Sequence, residues 1–186
     1  GETEAETSIA VRMPKGASVH ELSLTIAAPR LWDVADPHLY RVNVSLDTTR
    51  GEASHHEHAI TCGFRDFRVK DGYFHLNGRR IFLRCAHYGK YYPVGQTVPL
   101  DPDHMRRDLY MAKACGFNTV RFLANAAFPE QLDYCDQIGL MVYEECSAAW
   151  GLGDSPQMAQ RFDLAVREMI ERDRNHPCLT IFGMLN

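Results

Sequence analysis

The stretch GFNTVRFLANAAFPEQLDYCDQIGLMVYEE, residues 116–145, decides the fold. It opens on Gly116, where a helical pattern ends, and runs through the apolar segment 118–123. A helix is predicted from Pro129, a residue suited to the first helical position, to residue 138, where Gly139 stops it. A second apolar segment, 140–145, follows at once. A strand, a helix and a strand, each strand close to continuously apolar, is how parallel strands covered on both faces read.

Outward from that unit the pattern repeats. Residues 81–87 read as an earlier strand, and 102–115 as a helix with Asp101 as N-cap and Pro102 at its first position. Downstream, Ser155 and Pro156 are expected to open a long helix whose apolar stripe is Phe162, Val166, Met169 and Ile170. Residues 178–185 read as a fourth strand. Repeated βα units fit either a doubly wound sheet or a (β/α)8 barrel. The segments after the first and third strands, 88–100 and 146–154, are long and aromatic, whereas those returning from helix to strand are short. Barrels carry function on the loops after strands. No glycine-rich phosphate loop follows any strand, so a nucleotide site has no support.

Before Lys70 the character differs. Segments 19–26, 39–46 and 59–69 are β-rich and separated by turn residues, as in the later strands of a β-sandwich. A hairpin of 73–76 and 80–83, turned by Asn77-Gly78, leads into the βα units. Two domains are expected, a partial β-sandwich over 1–69 and an α/β domain over 70–186. In His55-His56-Glu57-His58, His56 and His58 would share one strand face and could hold a metal, but a solvated edge strand is the preferred reading.

The bulk numbers exclude some classes. The 186 residues carry a formal net charge of −4 with no basic cluster, against nucleic acid as the main partner. No run of 18 apolar residues exists, so no membrane-spanning helix is expected. The chain begins at Gly1 with an acidic, polar segment that is neither an initiator Met nor a secretory signal. The start of the gene product is therefore expected to be missing and the compartment is left open. Six dispersed cysteines without a CxxC pair, mostly in apolar runs, read as small hydrophobes rather than disulfides or zinc ligands.

The polar residues at the carboxyl ends of the predicted strands are His87 and Tyr88, Arg121 and Asn125, Glu144, Glu145 and Trp150, and Asn186. Carboxylates, an arginine, an amide and an aromatic face suit a sugar. The bland alternatives are a core histidine for His87, a structural ion pair for Arg121 and loop packing for Trp150. By strand alternation at most one of Glu144 and Glu145 faces a barrel axis.

Asn118-Thr-Val-Arg121, a proline a few residues on, residues 132–136, Gly139-Leu140 and the strand after them resemble the first signature of glycoside hydrolase family 2. Asn175-His176-Pro177-Cys178 with 179–182, Gly183 and Asn186 resembles the second. Leu31-Trp32, Pro37, Leu39-Tyr40, Gly63-Phe64-Arg65 and Leu76-Asn77-Gly78 are similar to its sandwich domain and the hairpin entering its barrel. The resemblance covers about residues 31–186. It implies the end of an immunoglobulin-like sandwich followed by the first four strands of a TIM (β/α)8 barrel. It implies a retaining exo-β-glycosidase that needs no cofactor or metal, with a carbohydrate substrate and an oligomer possible in the parent protein.

By the same resemblance Arg121 would hold the nucleophile ionised and Asn186 would bind the sugar 2-OH. His87, Asn125, Glu145 and Trp150 would line the sugar site. The acid/base glutamate is expected at the position after Asn186 and the nucleophile on a later strand, so that these 186 residues by themselves are expected to be inactive. A longer segment over 122–129, the reduction of a histidine cluster to His87 and Tyr88, and Phe182 in place of tryptophan depart from the family pattern and leave the sugar open. Glu145-Cys146 is similar to the β-glucuronidase branch. Two other readings stand beside the enzyme: a non-catalytic carbohydrate-binding protein with a degenerate cleft, and a structural sandwich with an α/β appendage. The last would require Arg121 and Glu145 on the outside.

Overall fold

The computed structural model describes residues 3–48, 54–89, 91, 92, 94–96, 99, 101, 103–147 and 153–185. The chain divides into two compact units, residues 1–30 and 31–186. In the first, residues 3–30 form neither helix nor strand. The strand expected over 19–26 is absent. Val19 is 90% exposed and Leu22 and Leu24 are 49% exposed, so the alternating pattern has no packed face to turn it into sheet.

In the second unit, β1 (Tyr40–Asp47) pairs antiparallel with β2 (His55–Cys62), from Tyr40 opposite Cys62 to Asp47 opposite His55. Strands β3 (Phe67–Lys70), β4 (Tyr73–Leu76) and β5 (Arg79–Arg80) form a second antiparallel sheet. Asn77 and Gly78 turn this hairpin with φ of 51° and 77°, the left-handed pair that a type I′ turn requires. The Asn77 amide also accepts Asp66 N–H at 3.0 Å and donates to Trp32 O at 3.0 Å, tying the turn to the segment before β1.

The remainder alternates β6 (Cys85–Tyr88), α1 (Asp103–Ala114), β7 (Thr119–Phe122), α2 (Pro129–Ile138), β8 (Met141–Glu145), α3 (Met158–Asp173) and β9 (Leu179–Gly183). The four strands are parallel and lie in chain order, β6-β7-β8-β9. In α2 the Gln131 side chain reaches back to accept Phe128 N–H at 2.9 Å, closing the first turn. Several boundaries differ from the sequence reading. The segment expected over 59–69 is divided between β2 and β3, and the second hairpin strand is Arg79–Arg80 rather than 80–83. Strands β7 and β9 are shorter than expected, and two further shifts have a visible cause. Helix α3 starts at Met158 rather than at Pro156, because Ser155 O accepts Met158 N–H at 3.1 Å in a turn that precedes the helix. Strand β6 starts at Cys85 rather than at Ile81. Over 81–84 the Asn118 side chain replaces the ladder, accepting Arg84 N–H at 2.8 Å and donating to Phe82 O at 2.9 Å.

Leu109, Val120, Phe122, Leu132, Cys135, Leu140, Met141, Val142, Cys178 and Leu179 are 1% exposed or less and form one core between sheet and helices. Trp32 joins it, fully buried, with its indole N–H donating to Asp136 O at 2.8 Å. The segment that carries Trp32 comes so close to the end of α2 that a Cβ on Gly139 would sit 2.5 Å from Val34 O, and Gly139 also has φ 71°. Lys113 Nζ bridges the two by donating to Val34 O at 2.6 Å and Gly139 O at 2.8 Å. All six cysteines are free thiols.

Candidate active site

Successive residues of a strand point to opposite faces, and β7 and β8 use this to separate two kinds of chemistry. Val120, Phe122 and Val142 go into the core beneath the helices. Arg121, Tyr143 and Glu145 take the other face. Arg121 Nε donates to Glu145 Oε1 at 2.6 Å and Nη2 pairs with the same oxygen. The guanidinium also lies 5.0 Å from the centre of the Tyr143 ring. Glu145 Oε2 accepts Ala124 N–H at 2.8 Å, from a residue in the left-handed region at φ 52°. Glu145 is fully buried, whereas the Arg121 side chain is 31% exposed.

Gly183, across the ladder from Glu145, makes room for this pair. A Cβ there would lie 2.7 Å from Glu145 Cγ and closer still to the Tyr143 ring. The register of β8 and β9 shifts between Val142 and Tyr143, so that Tyr143 faces Ile181 and Glu145 faces Gly183. The anchor of β9 lies at its other end. Asp136 accepts Cys178 N–H at 2.8 Å and pairs with His176 Nδ1 at 2.6 Å. Arg65 donates to Pro177 O at 2.9 Å and to Leu179 O. Asp133, Asp136 and His176 offer ligand atoms within 4.8 Å of one another. Both Asp136 oxygens already serve protein partners, and the trio sits at the start of β9 rather than at the strand ends.

His87 is opposite Arg121 in the β6-β7 register and is exposed. Asn125 is exposed in the turn after β7. Trp150 and Asn186 lie outside the described residues. Tyr88 falls on the core face, its ring 5.0 Å from Phe122 and its hydroxyl 2.8 Å from that of Tyr92. Burial, followed by the Tyr92 hydrogen bond, pushes its phenol well up. Glu144 points away from Arg121. It accepts Ala127 N–H at 3.2 Å, and burial and then the charge of Asp173 push its carboxyl up to about 8. The His55 cluster is on exposed β2, with His55 between Asp47 at 2.6 Å and Glu57 at 2.9 Å.

The residues missed from sequence are Tyr143, Ala124 and Gly183. Tyr143 alone had a local signal, since it is two residues from Glu145 and so shares its face. Chemically, an arginine held in place by a carboxylate can bind a second anion. Within the four parallel strands Glu144 and Glu145 are the only carboxylates, and only Glu145 faces Arg121.

The family model "Glycosyl hydrolases family 2, TIM barrel domain" matches residues 67–186, and "Glycosyl hydrolases family 2" matches residues 1–65. The chain belongs to glycoside hydrolase family 2. Among its relatives is the β-galactosidase of Pectobacterium atrosepticum, 33% identical over 172 residues, 89% of this chain and 16% of that protein. The β-galactosidase of Vibrio cholerae is 32% identical over 173 residues, 89% of this chain and 17% of that protein. Among solved structures, a β-glucuronidase of Parabacteroides merdae superposes with a TM-score of 0.81 and 29% identity, covering 89% of this chain and 21% of that one. A family 2 β-galacturonidase of Eisenbergiella tayi bound to galacturonate gives 0.77 and 30% identity, covering 88% and 29%. The family chain described here thus spans about a sixth of the length of its curated relatives.

Proposed function

We propose that residues 1–69 belong to an immunoglobulin-like sandwich and residues 70–186 form the first half of a (β/α)8 barrel in a retaining exo-β-glycosidase. The observation that carries this reading is the Arg121–Glu145 pair, seated at the carboxyl ends of parallel strands on the face turned away from the helices. The unreversed strand order supports a barrel over a doubly wound sheet, which reverses order at its binding crevice. Carboxyl ends of strands are where barrel enzymes place their chemistry.

In this reading Glu145 orients Arg121, and the guanidinium keeps a nucleophilic carboxylate from a later strand ionised. His87, Asn125, Trp150 and Asn186 line the sugar, with the Asn186 amide on its 2-OH and the acid/base glutamate directly after it. Retention needs two carboxyl groups about 5–5.5 Å apart, one attacking the anomeric carbon and the other serving as acid and then base. Glu145 is committed to Arg121 and Ala124, so both would come from outside these 186 residues. The test is hydrolysis of aryl β-glycosides by the full-length protein, followed by NMR. The expected first product is the β-anomer, and activity should vanish when the glutamate expected after Asn186 is changed to Ala. An α-anomer first, or no cleavage of any β-glycoside, would reject the assignment.

A further inference from the structure

Glu144 is fully buried on the helix side of β8. Its Oε2 accepts Ala127 N–H at 3.2 Å, but no donor among the described residues reaches Oε1. Its side-chain hydrogen-bonding neighbour is a second carboxylate, Asp173 at the end of α3, which is also fully buried. Asp173 uses both oxygens to accept from Arg172, each at 2.6 Å. Two facing carboxylates repel unless a proton lies between them, and a buried oxygen left without a partner bears its full desolvation penalty. A proton on Glu144 Oε1 removes both difficulties at once.

The same cluster holds a loop. Arg172 Nη2 donates to Ala127 O at 2.8 Å, so the backbone of Ala127 is gripped through its N–H by Glu144 and through its carbonyl by Arg172. Three residues earlier in the same loop, Ala124 N–H binds Glu145 on the opposite face of the sheet.

We propose that Glu144 is a positioning residue for the sugar site: protonated, it donates to Asp173 and accepts from Ala127, clamping residues 124–127 so that Ala124 N–H meets Glu145 beside Arg121. Its effect on turnover rests on the glycosidase reading; the clamp itself does not. The groups around Glu144 are Asp173 and Arg172 from α3, with Glu130 of α2 acting on Arg172, and the thiol of Cys178 ahead of β9. Among these only Arg172 is positive, and Asp173 already holds it. The raised carboxyl, at about 8, keeps the proton in place at neutral pH and releases it above that value.

The experiment uses the full-length protein and two variants, E144Q and E144A. It measures kcat/KM for an aryl β-glycoside from pH 6 to 9.5, the infrared stretch of a protonated carboxylic acid, and hydrogen exchange over residues 123–128. Glutamine can donate to Asp173 and accept from Ala127 without titrating. The wild type should lose kcat/KM with a midpoint near pH 8, and exchange over 123–128 should quicken over the same range. E144Q should stay within about twofold of the wild type at pH 7 and lack that step, whereas E144A should be about tenfold lower at pH 7 with fast exchange throughout. The protonated-acid band at pH 7 should be missing in E144Q. Superimposable alkaline limbs and exchange in wild type and E144Q, or an unchanged infrared band, would overturn the proposal. If no β-glycoside is cleaved, the glycosidase reading fails, and the band and the exchange rates still decide the role of Glu144.

Discussion

Glu144 and Glu145 are consecutive, equally buried, and placed in opposite chemistry. Glu145 meets two donors, a guanidinium and a backbone N–H. Glu144 meets another carboxylate. The pleat alone makes this difference, because one residue along a strand exchanges the face turned from the helices for the face packed under them. For Glu144, burial and then the charge of Asp173 push the carboxyl up. The second of these, the partner on its own face, sets its surroundings apart from those of the equally buried Glu145.

The largest effects are expected on the charged face. Arg121→Ala in the full-length protein should lower kcat on the order of 10²-fold, about 2.7 kcal/mol, with a smaller change in KM. Arg121→Ala should also carry a folding cost, because it leaves the fully buried Glu145 carboxyl without its guanidinium. Glu145→Ala leaves a guanidinium that is partly exposed and should cost less. Breaking a buried pair from one side costs about 3–5 kcal/mol, and the partly exposed Arg121 puts the expectation at the lower end. Steady-state kinetics and urea unfolding read the two quantities separately. Unchanged turnover in Arg121→Ala with intact folding would reduce the pair to a structural ion pair.

A smaller effect is expected where the pair touches β9. A Cβ at Gly183 would press on Glu145 Cγ at 2.7 Å and on the Tyr143 ring, both within the sheet. Gly183→Ala should cost about 1–3 kcal/mol as overpacking and lower turnover less than Arg121→Ala does. A fully stable variant with wild-type kinetics would mean that β9 shifts at no cost, and that the space beside Glu145 is not specified by this glycine.

What the sequence disclosed follows the range of the interactions. Helix α2 was legible to the residue, since Pro129 and Gly139 are local signals. So was the split between Glu144 and Glu145, which needs only the period of a strand. The Asn77-Gly78 turn was legible for the same reason. The strand expected over 19–26 failed because alternation supplies a face but no partner for it. Trp32 read as a sandwich residue, yet its indole reaches Asp136, 104 positions away. Asn118 belonged to a recognisable motif, but its work on Phe82 and Arg84 depends on a backbone 34 to 36 residues distant. The pairing of Arg121 with Glu145 rather than with solvent required the register of β7 on β8.

The smallest expected effect comes from a pair of histidine–aspartate contacts that distance alone cannot tell apart. His176 to Asp136 and His55 to Asp47 are both 2.6 Å. The side chains of the first are 19% and 3% exposed and those of the second 54% and 68%. Burial opposes charging His176, but the hydrogen bond and charge of Asp136 outweigh it, so its pKa is raised from the ordinary 6.5. That contribution is full below pH 6.5 and is lost as pH rises through the folded value, so wild type and His176→Ala should converge on going from pH 6 to pH 9. They should not merge, because the variant leaves Asp136 Oδ2 without its partner at any pH, at about 1–3 kcal/mol. His55 is raised too, first by its hydrogen bond to Asp47, and the sign of its pH dependence is the same. Its charges face water and salt, which screen them. His55→Ala should therefore leave the urea midpoint unchanged within error at physiological salt, at pH 6 as at pH 9. A loss equal to that of His176→Ala would mean that the length of the contact, and not the solvent around it, sets its worth.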